Sequence, residues 1–161
     1  MDLNVNKEKG VSIITLIITV ILLIIITGLV VYTGMEMIDE VNRAELVVNM
    51  SMIQTKVKTI NEKYNFEGND TSVFIGTKMT DVIKLPENII KMQQTINEDL
   101  SLYYLLTNDD LSKMNLEFIK NRNEENIYLV NYTTNEIIYI NGFKYKSDNL
   151  LYKLSDIRNI M

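Results

Sequence analysis

Residues 11–32 read VSIITLIITVILLIIITGLVVY, and residues 35–64 read MEMIDEVNRAELVVNMSMIQTKVKTINEKY. The first stretch holds neither a charge nor a proline. At just over twenty residues, with a rise of about 1.5 Å per residue, it matches the roughly 30 Å hydrocarbon core of a bilayer. Its Ile, Leu, Val and Thr suit lipid, where a helix satisfies its own backbone. The second stretch has no Gly or Pro, and its apolar residues Ile38, Val41, Leu46, Met50, Ile53, Val57, Ile60 and Tyr64 recur mostly three or four apart. That spacing predicts an amphipathic helix. Together the two stretches predict one helical rod of about 75 Å. The alternative is an anchor and a separate helix, broken near Gly28 or Gly34, where each glycine costs only about 1 kcal/mol.

A cleaved secretory signal would have a shorter apolar core ending in small residues of A-x-A type. Here Thr33, Gly34, Met35 and Glu36 follow Tyr32 instead. Lys7 and Lys9 precede the block, whereas Glu36, Asp39 and Glu40 follow it before Arg43 appears. Basic flanks stay on the cytoplasmic side, so the N-terminus is expected inside and everything from about Met35 onward outside.

Composition narrows the chemistry. The chain has 161 residues, 47% hydrophobic and 23% charged, with a net charge of −5 and no Cys, His or Trp. That length is one modest domain at most. Without Cys there is no disulfide framework or thiolate site, and without His the commonest general base and metal ligand are missing. Acidity and the lack of a Lys/Arg run argue against nucleic acid as a partner. No convergent set of titratable residues suggests an enzyme, and no cofactor or metal is expected.

The order of basic leader, Gly10 and apolar run without a polar spacer gives Lys9-Gly10-Val11-Ser12-Ile13-Ile14-Thr15-Leu16. This stretch resembles the N-terminus of type IV prepilins and type II secretion pseudopilins. The resemblance implies cleavage between Gly10 and Val11 by a cytoplasmic-side prepilin leader peptidase and methylation of Val11. It also implies packing of the apolar helix in the centre of a filament. Other pilin-like subunits, a membrane platform protein and an assembly ATPase are the partners it implies. Its fold would be α+β, a long N-terminal helix, half membrane and half amphipathic, packed on a small C-terminal antiparallel sheet. In that family a glutamate usually stands at the fifth mature position, where this chain has Thr15. An unpaired ammonium in a low-dielectric filament core is costly. The departure therefore fits a minor or initiating subunit, or a divergent Gram-positive form, at least as well as a major subunit. Ser12, Thr15 and Thr19 share a face, and their hydroxyls can bond their own helix or a neighbouring one.

Working outward, Phe66-Glu67-Gly68-Asn69-Asp70-Thr71-Ser72 is a dense turn cluster that ends the rod. The expected organisation is a leader over 1–10, a membrane helix over 11–32, its amphipathic continuation over 33–64 and an extracellular head over 65–161. Pro86 and Glu87 suit the first turn of a helix that carries Ile89, Ile90, Gln93, Ile96 and Leu100. Asp109 and Asp110 read as helix capping, with a calcium loop as the sharper alternative. Ile127–Tyr132 and Glu136–Ile140 predict a hairpin turning at Thr133-Thr134-Asn135. Asn141-Gly142 predicts a second turn into Phe143-Lys144-Tyr145-Lys146 and hence a three-stranded meander. Leu150 to Ile157 is a closing strand or a short helix. The tyrosines are expected on a half-exposed sheet. Residues 105–111 and 130–136 also resemble heads of Gram-positive pilin-like proteins.

Two functions follow: a prepilin-like structural subunit of a pilus or secretion pseudopilus, or an uncleaved single-pass membrane protein whose outer domain binds or senses.

Overall fold

The computed structural model describes residues 13–119, 126–144 and 149–160, with only the backbone of residues 14, 15, 28–37, 126 and 127. Helix α1 runs Ile13–Phe66. The chain divides after Glu40 into two compact units. The first contains the beginning of α1. In the second, residues 41–66 of α1 pack on a five-stranded antiparallel sheet, giving an α+β fold.

The end of α1 has a clear local cause. Glu67 N–H donates to Lys63 O at 2.9 Å and Asn69 N–H donates to Tyr64 O at 3.0 Å. Gly68 sits between them at φ +78°. This is the paired C-terminal closure that a left-handed glycine permits, and it lies inside the turn cluster read from the sequence.

The sheet has the order β1-β2-β3-β4-β5, with β1 Thr77–Lys78, β2 Tyr103–Thr107, β3 Asn126–Asn131, β4 Ile137–Lys144 and β5 Leu150–Lys153. Helices α2 Glu87–Ile96, α3 Asn108–Lys113 and α4 Leu154–Arg158 complete the unit. The hairpin over β3 and β4 has the expected turn, with Val130 opposite Ile137, Leu129 opposite Ile138 and Tyr128 opposite Tyr139. Asn131 Oδ1 accepts from the N–H groups of Thr133 and Thr134 at 2.9 and 3.1 Å, and Asn135 takes the left-handed conformation. Asn is suited to both tasks.

Asn141-Gly142 does not turn the chain. It lies inside β4, where the pairing to β5 slips between Ile138 and Phe143. The positive φ of Gly142, +70°, makes an irregularity in the ladder instead of a hairpin. Phe143 and Lys144 finish β4, and Tyr145 and Lys146 lie outside the described residues. The meander thus has five strands where the sequence predicts three. The stretch 150–157 is first strand, then helix.

The strands are apolar at successive positions because both sheet faces are covered. On one face Leu106, Tyr128, Val130 and Ile137 pack with Met50, Ile53 and Val57 of α1. On the other, Tyr103, Leu105, Leu129, Ile138, Ile140 and Tyr152 pack with Ile89 and Met92 of α2. Successive side chains alternate between these two layers. The expected half-exposed tyrosine face is therefore corrected: Tyr103, Tyr128, Tyr132 and Tyr152 are buried. In α2, Ile89 and Met92 form the buried face while Ile90 is exposed, and Pro86 stands just before the first helical residue. Leu100 is not in this helix, which ends where Asn97 turns left-handed.

Phe74 joins the loop after α1 to the sheet. Its ring stacks on Tyr132 at 4.3 Å and meets Tyr64 at 4.8 Å and Tyr104 edge-on at 5.5 Å. The Tyr132 hydroxyl donates to Ile75 O at 2.9 Å and accepts from Ile75 N–H at 3.0 Å. Such ring pairs each add about 0.5–1.5 kcal/mol beyond their buried area.

Candidate assembly surface

Gly10 and Val11, the expected processing pair, lie outside the described residues. Thr15 lies in α1 with its backbone alone described. The Thr19 hydroxyl donates to Leu16 O at 2.8 Å and the Thr27 hydroxyl to Leu23 O at 2.6 Å, so both bond within their own helix. This is the self-satisfied arrangement open to hydroxyls in a helix.

Leu16, Ile17, Ile18, Val20, Ile21, Leu22, Leu23, Ile24, Ile25 and Ile26 are all exposed, at 47–67%. They surround the helix. A helix apolar all round is covered by something, lipid or other helices, because exposing so much contiguous apolar surface to water is unfavourable at about 25 cal/mol per Å². Among the described residues no helix is long and apolar enough to cross a membrane. The described side chains of this run end at Thr27, short of the roughly twenty residues a crossing takes, and the sequence block extends past them in both directions.

In the second unit, α1 has two unlike faces. Met50, Ile53 and Val57 face the core, fully buried. On the other side Val41, Glu45, Val48, Met52, Thr55 and Thr59 are exposed, at spacings of four, three, four, three and four. The hydroxyls of Thr55 and Thr59 donate to Ser51 O and Thr55 O at 2.9 and 3.1 Å, so both bond within their own helix. This outer face was not singled out from the sequence. Its signal, the 3.5-residue period, is legible there but overlaps the core period of the same helix.

Helix α4 and the residues just after it are tied to the same helix. Arg43 Nη1 donates to Ile157 O at 3.4 Å and Ile160 O at 3.1 Å, at the carbonyl end of α4. Arg158 Nη2 donates to Ser51 Oγ at 2.9 Å. Cations suit a helix C-terminus, whose carbonyls carry partial negative charge.

Asp109 and Asp110 lie in the first turn of α3, which Thr107 caps together with Asp110. Thr107 Oγ1 accepts from Asp110 N–H at 3.2 Å, and Asp110 Oδ2 accepts from Thr107 N–H at 3.0 Å, a reciprocal capping box. Burial disfavours the Asp110 carboxylate, but Lys113 and Thr107 outweigh it and hold its pKa below the ordinary value. Among the described residues no three acidic groups gather as a metal site.

Glu98, Tyr103 and Lys153 form the other polar cluster. The Tyr103 hydroxyl donates to Glu98 Oε1 at 2.5 Å, and Lys153 pairs with Glu98 Oε2. Burial, then Glu98, pushes the Tyr103 hydroxyl above its usual range. For Glu98, burial works against ionisation, yet Lys153 and Tyr103 hold its pKa low. The carboxylate is thus engaged from both sides, joining β5 and β2 to the loop after α2. The nearby depression lined by Met79, Leu85, Gln93 and Asp99 holds about 160 Å³, below the roughly 300 Å³ at which ligand pockets begin. These groups act as structural ties, and the apolar surfaces of α1 are the candidate site.

No protein-family model, curated protein or solved structure matches the chain.

Proposed function

We propose that this chain is a prepilin-like structural subunit, minor or initiating, of a type IV pilus or a type II secretion-like pseudopilus. The observation that carries the reading is the all-round apolar surface of α1 from Leu16 to Ile26, directly behind Lys9-Gly10-Val11. Inserted with its N-terminus in the cytoplasm and its head outside, the chain is cut after Gly10 and methylated at Val11. Its helix then exchanges lipid for neighbouring helices. Both environments satisfy the same apolar surface, so the exchange needs no unfolding of the head. The work is mechanical and not enzymatic. Leader peptidase, platform protein, assembly ATPase and other pilin-like subunits are its partners.

The mass of the N-terminal peptide of protein isolated from its own membrane tests the proposal. A peptide starting at Val11, heavier by one methyl group, is expected. A chain starting at Met1 in cells with active leader peptidase refutes it. Thr15 favours a second reading, an uncleaved single-pass protein with an outer binding or sensing domain, because no carboxylate stands ready for a neighbour's amino terminus. That reading takes over in the second outcome.

A further inference from the structure

We infer that Asn141 is a self-modifying site: in the folded chain its side-chain amide is lost by attack of the Gly142 nitrogen, with Asn88 assisting, and the product loosens β4 against β5. The inference is independent of the function proposed above.

Asn141-Gly142 is the chain's one Asn-Gly pair. The attack joins adjacent residues, so it is intramolecular and needs only the right local geometry. A glycine nitrogen carries it best because no Cβ stands beside the forming ring. Asn69, Asn97, Asn115 and Asn135 take the left-handed conformation, but each is followed by a residue with a side chain, Asp70, Glu98, Leu116 and Glu136. The fold places the Asn-Gly pair where the ladder yields. Pairing of β4 to β5 holds at Ile138 with Lys153 and at Phe143 with Leu151, so the four residues Tyr139 to Gly142 fill the interval that Tyr152 alone fills in β5. Asn141 and Gly142 are half-buried there, within reach of water.

Asn88, in the first turn of α2, supplies a donor. Its Oδ1 accepts from Ile89 N–H at 3.0 Å, which fixes which end of the amide is oxygen and leaves Nδ2 for Asn141. Asn88 Nδ2 donates to Asn141 Oδ1 at 3.4 Å. Charge develops on that oxygen when the amide carbon is attacked, and a donor already aimed at it lowers the barrier. The Gly142 nitrogen gives up its proton and bonds to Asn141 Cγ, while the carbonyl electron pair moves onto Oδ1. When the pair returns, the Cγ–Nδ2 bond breaks, and the departing nitrogen takes up a proton and leaves as ammonia. Water opens the five-membered imide that remains. Cleavage at Cγ yields aspartate, and cleavage at the backbone carbonyl yields isoaspartate, with the main chain running through the former side chain. Isoaspartate lengthens the backbone beside Gly142, where a Cβ would already stand 2.8 Å from Tyr152 Cε1 and 3.1 Å from Leu150 Cβ. The longer chain pushes Gly142 against that ring.

The test uses the full chain, folded in detergent and aged in a mildly alkaline buffer, beside the same chain unfolded in urea. Peptide masses and an isoaspartate-specific methyltransferase read the product. Expected is a gain of one mass unit in the peptide holding Asn141, formed in the folded chain at least as fast as in urea. Asn141→Gln abolishes it. Asn88→Asp keeps the shape of the residue without the donor. It slows the folded chain about three- to tenfold, the worth of one neutral hydrogen bond, and leaves the rate in urea unchanged. The aged protein melts about 3–6 °C below fresh protein. Slower loss in the folded chain than in urea overturns the inference, and so does indifference to Asn88→Asp, because either means that the fold gives the pair no help. Full conversion with an unchanged melt overturns the loosening of β4.

Discussion

Adjacent residues Met52 and Ile53 are expected to respond very differently to alanine, which tests the placement of α1 on the sheet. Ile53 is fully buried among Leu106, Val130 and Ile137 in one cluster, whereas Met52 is 40% exposed on the far side. Ile53→Ala removes three carbons. At about 0.8 kcal/mol per buried carbon, transfer alone costs about 2.4 kcal/mol. The cavity left behind brings the total to about 3–4 kcal/mol, within the range for such core truncations. Met52→Ala loses half-wetted contacts and gains slightly in helix propensity, so its cost stays below about 1 kcal/mol. The assay is urea denaturation of the full chain in detergent, followed by near-ultraviolet circular dichroism. The chain has nine tyrosines and no tryptophan, and Tyr103, Tyr128, Tyr132 and Tyr152 are buried, so the signal reports head packing. A melt by the same probe should fall by roughly 10–15 °C for Ile53→Ala. Equal costs at the two positions would refute the reasoning, since they would mean that α1 presents a different face to the sheet.

Gly142→Ala is expected to cost about 1–3 kcal/mol, read from the same thermal melt, because an alanine Cβ there would stand 2.8 Å from Tyr152 Cε1 at a φ of +70°. Asp110→Asn tests the pH dependence of the α3 cap. The folded pKa of Asp110 lies below its unfolded value, so the unfolded chain binds more protons. This contribution is therefore full above about pH 4 and is lost as pH falls through the folded pKa. Urea midpoints measured from pH 6 to pH 2 should show a smaller acid loss in Asp110→Asn than in the parent chain, and parallel curves would contradict the assignment.

Much of this architecture is legible in local pattern. The spacing of Met50, Ile53 and Val57, the turn cluster at Gly68 and the Thr133-Thr134-Asn135 hairpin depend on neighbours in sequence, so periodicity and turn chemistry reach them. Tyr103–Thr107 escapes as a strand because its first four residues, all apolar or aromatic, lack alternation, which follows from burial on both faces. Asn141-Gly142 misleads for another reason. Positive φ is what those residues tolerate, and a ladder irregularity uses that tolerance as readily as a hairpin does. The outer stripe of α1 is hidden under the stronger core period of the same helix.

The apolar run from Val11, the lysines and Gly10 just before it, the helix ending at the Gly68 turn and the absence of His and Cys were determined by the amino-acid sequence alone, because each is a property of composition or of residues a few positions apart. Tertiary structure decided which face of α1 is buried, why the central strands are apolar at successive positions, and how Arg43 meets the end of α4 and Lys153 meets Glu98. Those pairs are joined through space across long stretches of chain, and only the packing of two layers on one sheet brings them within reach.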